Sequence, residues 1–170
     1  MVLMDGRKVA KEMLMKLAKE VASLGIDHIH PKLAVILVGK DPASLSYIKQ
    51  KQKACVETGI EWEQFDYESS DVTTEKLIEK IEELNGDESI HGILVQLPLP
   101  SNVYAPEVIK AIAPGKDVDG FTAYNIGKMF ISKDFEHLAP CTPRGVVKLL
   151  EYYDVPLEGR EIVVVGHSNL

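Results

Sequence analysis

The feature that most constrains the fold is the alternation of short apolar runs with longer amphipathic segments. Residues 33–38 and 90–97 are nearly uninterrupted apolar runs, which is typical of strands buried on both faces of a parallel sheet. Residues 61–67 predict a weaker strand and residues 161–166 a final one. Strands that alternate with helices of ten or more residues indicate an α/β fold, in which helices flank a mostly parallel sheet.

Helices are predicted wherever apolar residues recur at helical spacing, and capping residues mark several of their ends. Asp5 and Asp41-Pro42 are expected to begin the first two helices, and Gly25 and Gly59 to end them. The predicted helices cover residues 5–24, 41–58, 73–84, 106–112 and 143–153.

Charge and cysteine content limit the function classes. The 170 residues carry 26 acidic and 19 basic side chains, a net charge of −7, which argues against nucleic-acid or anionic-membrane partners. No apolar run approaches the roughly 20 residues that a spanning helix needs. Cys55 and Cys141 cannot form a disulfide framework, so a reducing, cytoplasmic location is expected.

Lys51 is the first candidate for chemistry, because it falls in the less polar stripe of the helix predicted over residues 41–58. Ser44, Tyr47 and Ile48 share that stripe, whereas Lys49 points to solvent. A partly buried lysine has a lowered pKa and can serve as a general acid or base. The alternative is a lysine that reaches to solvent beside a core tyrosine.

Gln96 and the run Lys116-Asp-Val-Asp-Gly-Phe are the next candidates. Gln96 ends a predicted buried strand, where ligands bind in parallel α/β sheets; alternatively, its amide bonds a neighbouring loop. Asp-Gly normally indicates a turn. If this run is extended instead, Asp117 and Asp119 lie on the same side, where a carboxylate can pair with the N–H donors of a heterocycle.

Other polar residues give weaker signals. Cys141 is a poor catalytic candidate, because no histidine partner can be assigned to it. Residues 166–168 follow an apolar run as a phosphate-binding loop does, but no glycine-rich motif accompanies them. His28 and His30 lack further ligands, so no metal site is predicted.

Taken together, these segments resemble the bifunctional methylenetetrahydrofolate dehydrogenase/methenyltetrahydrofolate cyclohydrolase family. The strings Gln-Leu-Pro-Leu-Pro and Lys-Asp-Val-Asp-Gly-Phe are the most specific, and the matching stretches occur in the order of the family. They cover residues 41–51, 92–100, 116–121, 124–127 and 140–145.

The resemblance implies a three-layer, folate-binding catalytic domain over residues 1–140 and a linker helix over residues 141–155. Residues 156–170 are then the first strand of a truncated Rossmann-type NAD(P)-binding domain. The family oxidises 5,10-methylenetetrahydrofolate with NADP and hydrolyses the methenyl product to 10-formyltetrahydrofolate. These reactions belong to one-carbon metabolism and serve purine, methionine and histidine biosynthesis. A homodimer is expected for the full-length protein.

The resemblance also assigns roles to matching positions. Lys51 is the general acid/base, Tyr47 stacks on the folate and orients it, Gln96 supports the lysine and Asp119 anchors the pterin. Folate contacts fall on Tyr47, Lys51, Val95, Gln96, Leu97 and Asp119, and the NADP site begins with Gly166, His167 and Ser168.

One departure from the family concerns the cofactor. The family usually has arginine at the position of His167, and histidine is a weaker partner for the extra phosphate of NADP, so NAD is a possible cofactor. Because most of a cofactor domain is missing from these 170 residues, we expect this chain alone not to be an efficient dehydrogenase.

Two alternatives remain. Short-chain dehydrogenases also use Tyr-x-x-x-Lys, but they carry a glycine-rich loop before it, which is absent here. The second alternative is a folate-binding fragment that binds its ligand with little or no dehydrogenase activity.

Overall fold

The computed structural model of the chain describes residues 3–132 and 138–166. Strands and helices alternate through most of this part, as the apolar pattern predicts. In chain order the elements are α1 (Gly6–Ile26), β1 (Lys32–Val38), α2 (Pro42–Thr58), β2 (Glu61–Tyr67), α3 (Thr74–Gly86), β3 (Gly92–Val95), α4 (Ala105–Ala111), α5 (Ala123–Ile131) and α6 (Cys141–Tyr152).

The helix ends follow from local side-chain chemistry. The Asp5 carboxylate accepts hydrogen bonds from two backbone N–H groups at the start of α1, and Asp41 accepts one from Ser44 at the start of α2. Gly59 ends α2 in the left-handed conformation (φ 80°). The prediction that Gly25 ends α1 is wrong by a short margin, because the helix continues to Ile26.

The sheet has the order β2-β1-β3, and both pairings are parallel. β1 is the central strand and pairs along both edges, so its backbone groups are satisfied and its side chains are buried on both faces. One face packs on α3 and α4, and the other packs on α2, with α1 outside it. The predicted three layers with a parallel sheet are therefore confirmed.

The final predicted strand does not form. Residues 161–166 have no regular secondary structure, and the side chains of residues 162–165 are 63–95% exposed. A strand gains stability only from a neighbour that accepts its hydrogen bonds and covers its side chains, and no described strand lies beside this segment. The helix α5 was not predicted, since its nine residues follow an Asp-Gly turn and include Gly127.

The C-terminal end of α6 contacts the N-terminal part of the chain through Tyr152 and Tyr153. The Tyr152 hydroxyl donates to Glu12 at 2.9 Å, and the backbone N–H of Asp5 donates to the Tyr153 hydroxyl at 2.8 Å. No residue of α6 is buried. Among the described residues, none of the helices has the length and apolar character to cross a membrane.

Candidate active site

The packing of α2 places Lys51 at the edge of the core. Ser44, Ile48 and Cys55 are buried against the sheet, and Lys51 on the same stripe is half-buried. Lys49 is exposed, as predicted. The alternative in which Lys51 lies beside a core tyrosine is wrong, because the Tyr47 side chain is 59% exposed.

Gln96 connects Lys51 to the end of the sheet. Its backbone N–H donates to Ile36 O at 2.9 Å, so it continues the pairing of β3 with β1. Its side-chain oxygen accepts from Lys51 Nζ at 3.4 Å, and its amide nitrogen donates to Leu97 O at 2.6 Å. The amide of Gln96 therefore bonds the loop that follows it and also contacts Lys51.

Asp119 is the acidic partner in this group of side chains. Burial raises the pKa of the Asp119 carboxyl, the charge of Lys51 lowers it, and the charge of Asp117 raises it further. The charge of Lys51 therefore reaches the Asp119 carboxyl. The site thus combines an amine, an amide acceptor and a carboxyl group held in a partly dry environment.

The segment that carries Asp119 is a turn and not an extended strand. Gly120 N donates to Asp117 O at 3.2 Å, so the side-by-side arrangement of the two carboxylates expected for an extended segment does not apply. Asp117 is 1% exposed and accepts hydrogen bonds from the backbone N–H groups of Phe121 and Thr122. Its carboxylate therefore holds the turn, whereas Asp119 belongs to the site.

Cys141 lies beside the same turn, where its thiol donates to Val118 O at 3.4 Å. Partial burial and the charge of Asp119 raise the pKa of the Cys141 thiol above its ordinary value. A thiol that stays protonated is a poor nucleophile, in agreement with the prediction. His28 and His30 are exposed, and the described residues contain no group of three side chains suited to a metal ion.

Not all of the predicted folate contacts meet here. The Val95 side chain is 5% exposed and packs in the core, so only its backbone borders the site. Leu97 is half-buried and contributes the carbonyl group that accepts the Gln96 amide. Tyr47 stands one helical turn before Lys51 with its ring exposed toward solvent.

The described residues do not form a site for NADP. Of the three predicted contacts, His167 and Ser168 lie outside the described residues, and Gly166 is exposed. Residues 161–166 form no strand, so the described part of the chain contains no strand–turn–helix of the kind that places backbone N–H groups around a pyrophosphate.

Lys51 and Gln96 meet just past the carboxyl end of β3, and the charge of Lys51 acts on the Asp119 carboxyl. This edge is where α/β sheets bind ligands, because the loops that follow the strands meet there. An amine that hydrogen-bonds an amide oxygen can exchange a proton without losing its position. The arrangement is therefore suited to proton transfer on a bound ligand.

Comparison with known proteins agrees with this geometry. The catalytic-domain model of tetrahydrofolate dehydrogenase/cyclohydrolase matches residues 4–119, and the NAD(P)-binding-domain model of the same family matches residues 140–170. Over 168 residues the chain is 47% identical to the bifunctional protein FolD of Bacillus licheniformis. That alignment covers 99% of this chain but 58% of the relative.

Solved structures give the same result. The bifunctional enzyme FolD-methylenetetrahydrofolate dehydrogenase/cyclohydrolase of Campylobacter jejuni superposes with a TM-score of 0.94 at 40% identity, covering 99% of this chain and 59% of that one. The Trypanosoma brucei enzyme, solved with NADP and an inhibitor, gives 0.86 at 34% identity, covering 91% and 52%. The chain therefore belongs to the tetrahydrofolate dehydrogenase/cyclohydrolase family.

Proposed function

We propose that this chain carries the folate site of a bifunctional enzyme that oxidises 5,10-methylenetetrahydrofolate and hydrolyses 5,10-methenyltetrahydrofolate to 10-formyltetrahydrofolate. The observation that carries the proposal is the 3.4 Å contact between Lys51 and Gln96 beside a carboxyl group, Asp119. The names of the relatives agree with this activity.

Hydrolysis is the step that the described residues explain. The methenyl carbon is already electrophilic, so water can add to it once one proton is removed. A carbon–nitrogen bond of the folate then breaks as the added hydroxyl becomes the formyl oxygen, the hydroxyl proton passes to solvent, and the nitrogen released takes up a proton. Lys51 in its amine form accepts the proton of the water and returns it to that nitrogen. Gln96 accepts a hydrogen bond from both the amine and the ammonium form, so it holds Nζ in place throughout.

The remaining groups bind and orient the substrate in this proposal. Burial raises the pKa of the Asp119 carboxyl, and the positive charge of Lys51 opposes that shift. In its ionised form Asp119 accepts hydrogen bonds from N–H groups of the pterin. Tyr47 offers an exposed ring one turn from Lys51, suited to stacking on the folate. Val95 and Leu97 line the same edge of the sheet.

The oxidative half of the proposal concerns a protein of the length of the relatives, of which this chain spans about 58%. Our domain assignment keeps residues 1–140 as the folate domain, 141–155 as the linker helix and 156–170 as the start of the cofactor domain. The two family models, which match residues 4–119 and 140–170, support a boundary near residue 140, with the helix over residues 141–155 inside the cofactor-domain match. NADP accepts the hydride when bound; with His167 in place of arginine, NAD is the second candidate.

The cellular setting follows the same reasoning. We propose that the full-length protein is a cytoplasmic homodimer that binds tetrahydrofolate derivatives, without nucleic-acid or membrane partners. Its products serve purine, methionine and histidine biosynthesis. The net charge of −7 supports the exclusion of polyanionic partners.

The test is the rate of methenyltetrahydrofolate hydrolysis by this chain, measured above the spontaneous rate. Lys51→Met removes the proton carrier and should lower the rate about 100-fold or more, the usual contribution of a general acid/base. Lys49→Met is the matched control, because Lys49 is an exposed lysine on the same helix. It should retain the rate of the unmodified chain, and both variants should keep an unchanged circular dichroism spectrum.

Equal rates for the two variants would refute the role of Lys51. Binding of folate without turnover by the unmodified chain would favour the second candidate function, a folate-binding fragment. NADP-dependent oxidation of methylenetetrahydrofolate by the purified chain would contradict the expectation that these 170 residues are an inefficient dehydrogenase.

A further inference from the structure

The turn that carries Asp119 is held mainly by side chains. Residues 117–120 form this turn, and Gly120 N donates to Asp117 O at 3.2 Å. In the described part of the chain, its pairing with β3 consists of one isolated bridge between Ile93 and Asp117. A turn with so little backbone pairing takes its position from side-chain contacts. The residues that make these contacts therefore decide where the Asp119 carboxyl lies.

The Asp117 carboxylate makes three of these contacts. Its oxygens accept from the backbone N–H groups of Phe121 at 3.2 Å and Thr122 at 2.8 Å, and from Asn125 Nδ2 at 3.0 Å. A carboxylate that is 1% exposed is tolerated only when such donors replace water. Asp117 thereby fastens the start of the turn to the start of α5.

Asn125 completes this arrangement from inside α5. It is 2% exposed, and its Nδ2 donates both to Asp117 and to Pro114 O at 2.9 Å. One amide group therefore ties the chain before the turn to the carboxylate that holds it. Asn125 Oδ1 is buried without a hydrogen-bond partner among the described residues, so this amide carries a cost in stability. A buried residue that lowers stability is more readily explained by what it positions than by what it stabilises, so we ascribe to Asn125 a role in placing the turn.

The opposite side of the turn is closed by backbone. Gly120 has a φ of +69°, and a Cβ atom there would lie 2.6 Å from Ala139 C and 2.7 Å from Pro140 N. Cys141 adds the hydrogen bond from its thiol to Val118 O. The turn is thus enclosed between residues 139–141 and the start of α5, so a change on either side is transmitted to Asp119.

We propose that Asn125, acting through Asp117, is a positioning residue that sets the place of the Asp119 carboxyl relative to Lys51. The inference rests on the proposed function, because it assigns Asp119 to folate binding. Loss of the Asn125 amide leaves Asp117 with one donor fewer and frees the segment that begins at Pro114. The turn then relaxes, and the folate loses affinity while the proton-transfer groups, Lys51 and Gln96, remain intact.

The first test compares Asn125→Ala with Asn85→Ala. The Asn85 amide also bridges backbone, donating to Ala111 O at 2.7 Å and accepting from Ala113 N at 2.9 Å, but these bonds do not include the carboxylate of Asp117. Asn125→Ala should raise KM for methenyltetrahydrofolate about tenfold, with a smaller fall in kcat. Asn85→Ala should lower the thermal midpoint and leave KM within about twofold.

The second test uses Asp117→Asn, which has nearly the same shape and decides the question if Asn125→Ala does not fold. Asp117→Asn replaces one acceptor oxygen by an NH2 group, which cannot accept the hydrogen bonds that Phe121 and Thr122 donate to the carboxylate. KM for methenyltetrahydrofolate should therefore rise several-fold with little change in kcat, a split that a general loss of folded protein would not produce.

The outcomes separate the two proposals. An Asn125→Ala variant whose KM equals that of Asn85→Ala, or an Asp117→Asn variant with an unchanged KM, overturns this inference while leaving the proposed function intact. If the unmodified chain does not exceed the spontaneous rate, the proposed function fails and this inference fails with it. A raised KM in both Asn125→Ala and Asp117→Asn, with kcat largely retained, supports both.

Discussion

Two apolar runs of similar composition have opposite fates in this chain. Residues 33–38 form β1, whose side chains from Ala34 to Ile36 are fully buried and whose backbone pairs with β2 and β3. Residues 162–165 are Ile-Val-Val-Val, yet their side chains are exposed and their backbone is unpaired. Both runs contain the β-branched residues that favour strands.

The difference shows that β-propensity describes suitability for a sheet and does not by itself create one. β1 receives a neighbour on each edge and helices on each face, so burial of its side chains offsets the entropy lost on ordering. Residues 162–165 receive neither in the described structure. The candidate active site lies in the first region, at the end of the paired strands.

The largest stability effect expected from this comparison is for Ile36→Ala against Val164→Ala. Ile36 is 0% exposed at the centre of the sheet, so its truncation should cost about 2–5 kcal/mol of unfolding free energy. Val164 is 85% exposed, and its truncation should change stability by less than about 0.5 kcal/mol. Urea denaturation of the two variants measures both values, and similar losses would contradict the difference between the regions.

Substitution of two glycines compares a tightly packed segment with a loosely packed one. Gly120→Ala in the packed region forces a Cβ against backbone atoms at 2.6 Å in a left-handed conformation, and should cost about 1–3 kcal/mol. Gly145→Ala in α6 meets nothing within 4 Å, and should stabilise the helix by about 0.5–1 kcal/mol. Thermal denaturation should give shifts of opposite sign. A destabilising Gly145→Ala would show that α6 is more tightly packed than the structure indicates.

The smallest effect is a pH dependence of stability that arises from Asp119. Burial raises the pKa of this carboxyl in the folded chain, so the folded state disfavours ionisation. Below the unfolded pKa both states are protonated and there is no penalty; as the pH rises through the folded pKa, stability is lost. Asp119→Asn should therefore raise the thermal midpoint at about pH 7 and leave it unchanged at about pH 3. A midpoint raised equally at both pH values would exclude this charge effect.

Much of the fold was predictable, because the signals involved are local. The capping residues Asp5 and Asp41, the left-handed Gly59 and the continuous apolar run of β1 each act within a few residues of chain. One part of the candidate site was also predictable from a local signal, because helical spacing placed Lys51 on the side of α2 that faces the core. Its assignment to folate chemistry came from motif resemblance, which periodicity does not provide.

Other features depend on contacts that spacing does not show. The exposure of Tyr47 depends on how α2 sits on the sheet, and the separate environments of Asp117 and Asp119 depend on a turn enclosed between residues 139–141 and α5. Asn125 carried no local signal as a positioning residue. Its significance arises from two hydrogen bonds to residues 8 and 11 positions earlier in the chain.

The sequence by itself determined most of the elements, their order, the parallel arrangement and the residue types available for proton transfer. Only the tertiary structure decided which apolar run became a strand, which of two aspartates entered the site, and that Lys51 meets Gln96 across 45 residues of chain. The physical reason is the range of the interactions. Propensity and capping act between near neighbours, whereas burial, strand pairing and electrostatic coupling arise only when distant segments pack together.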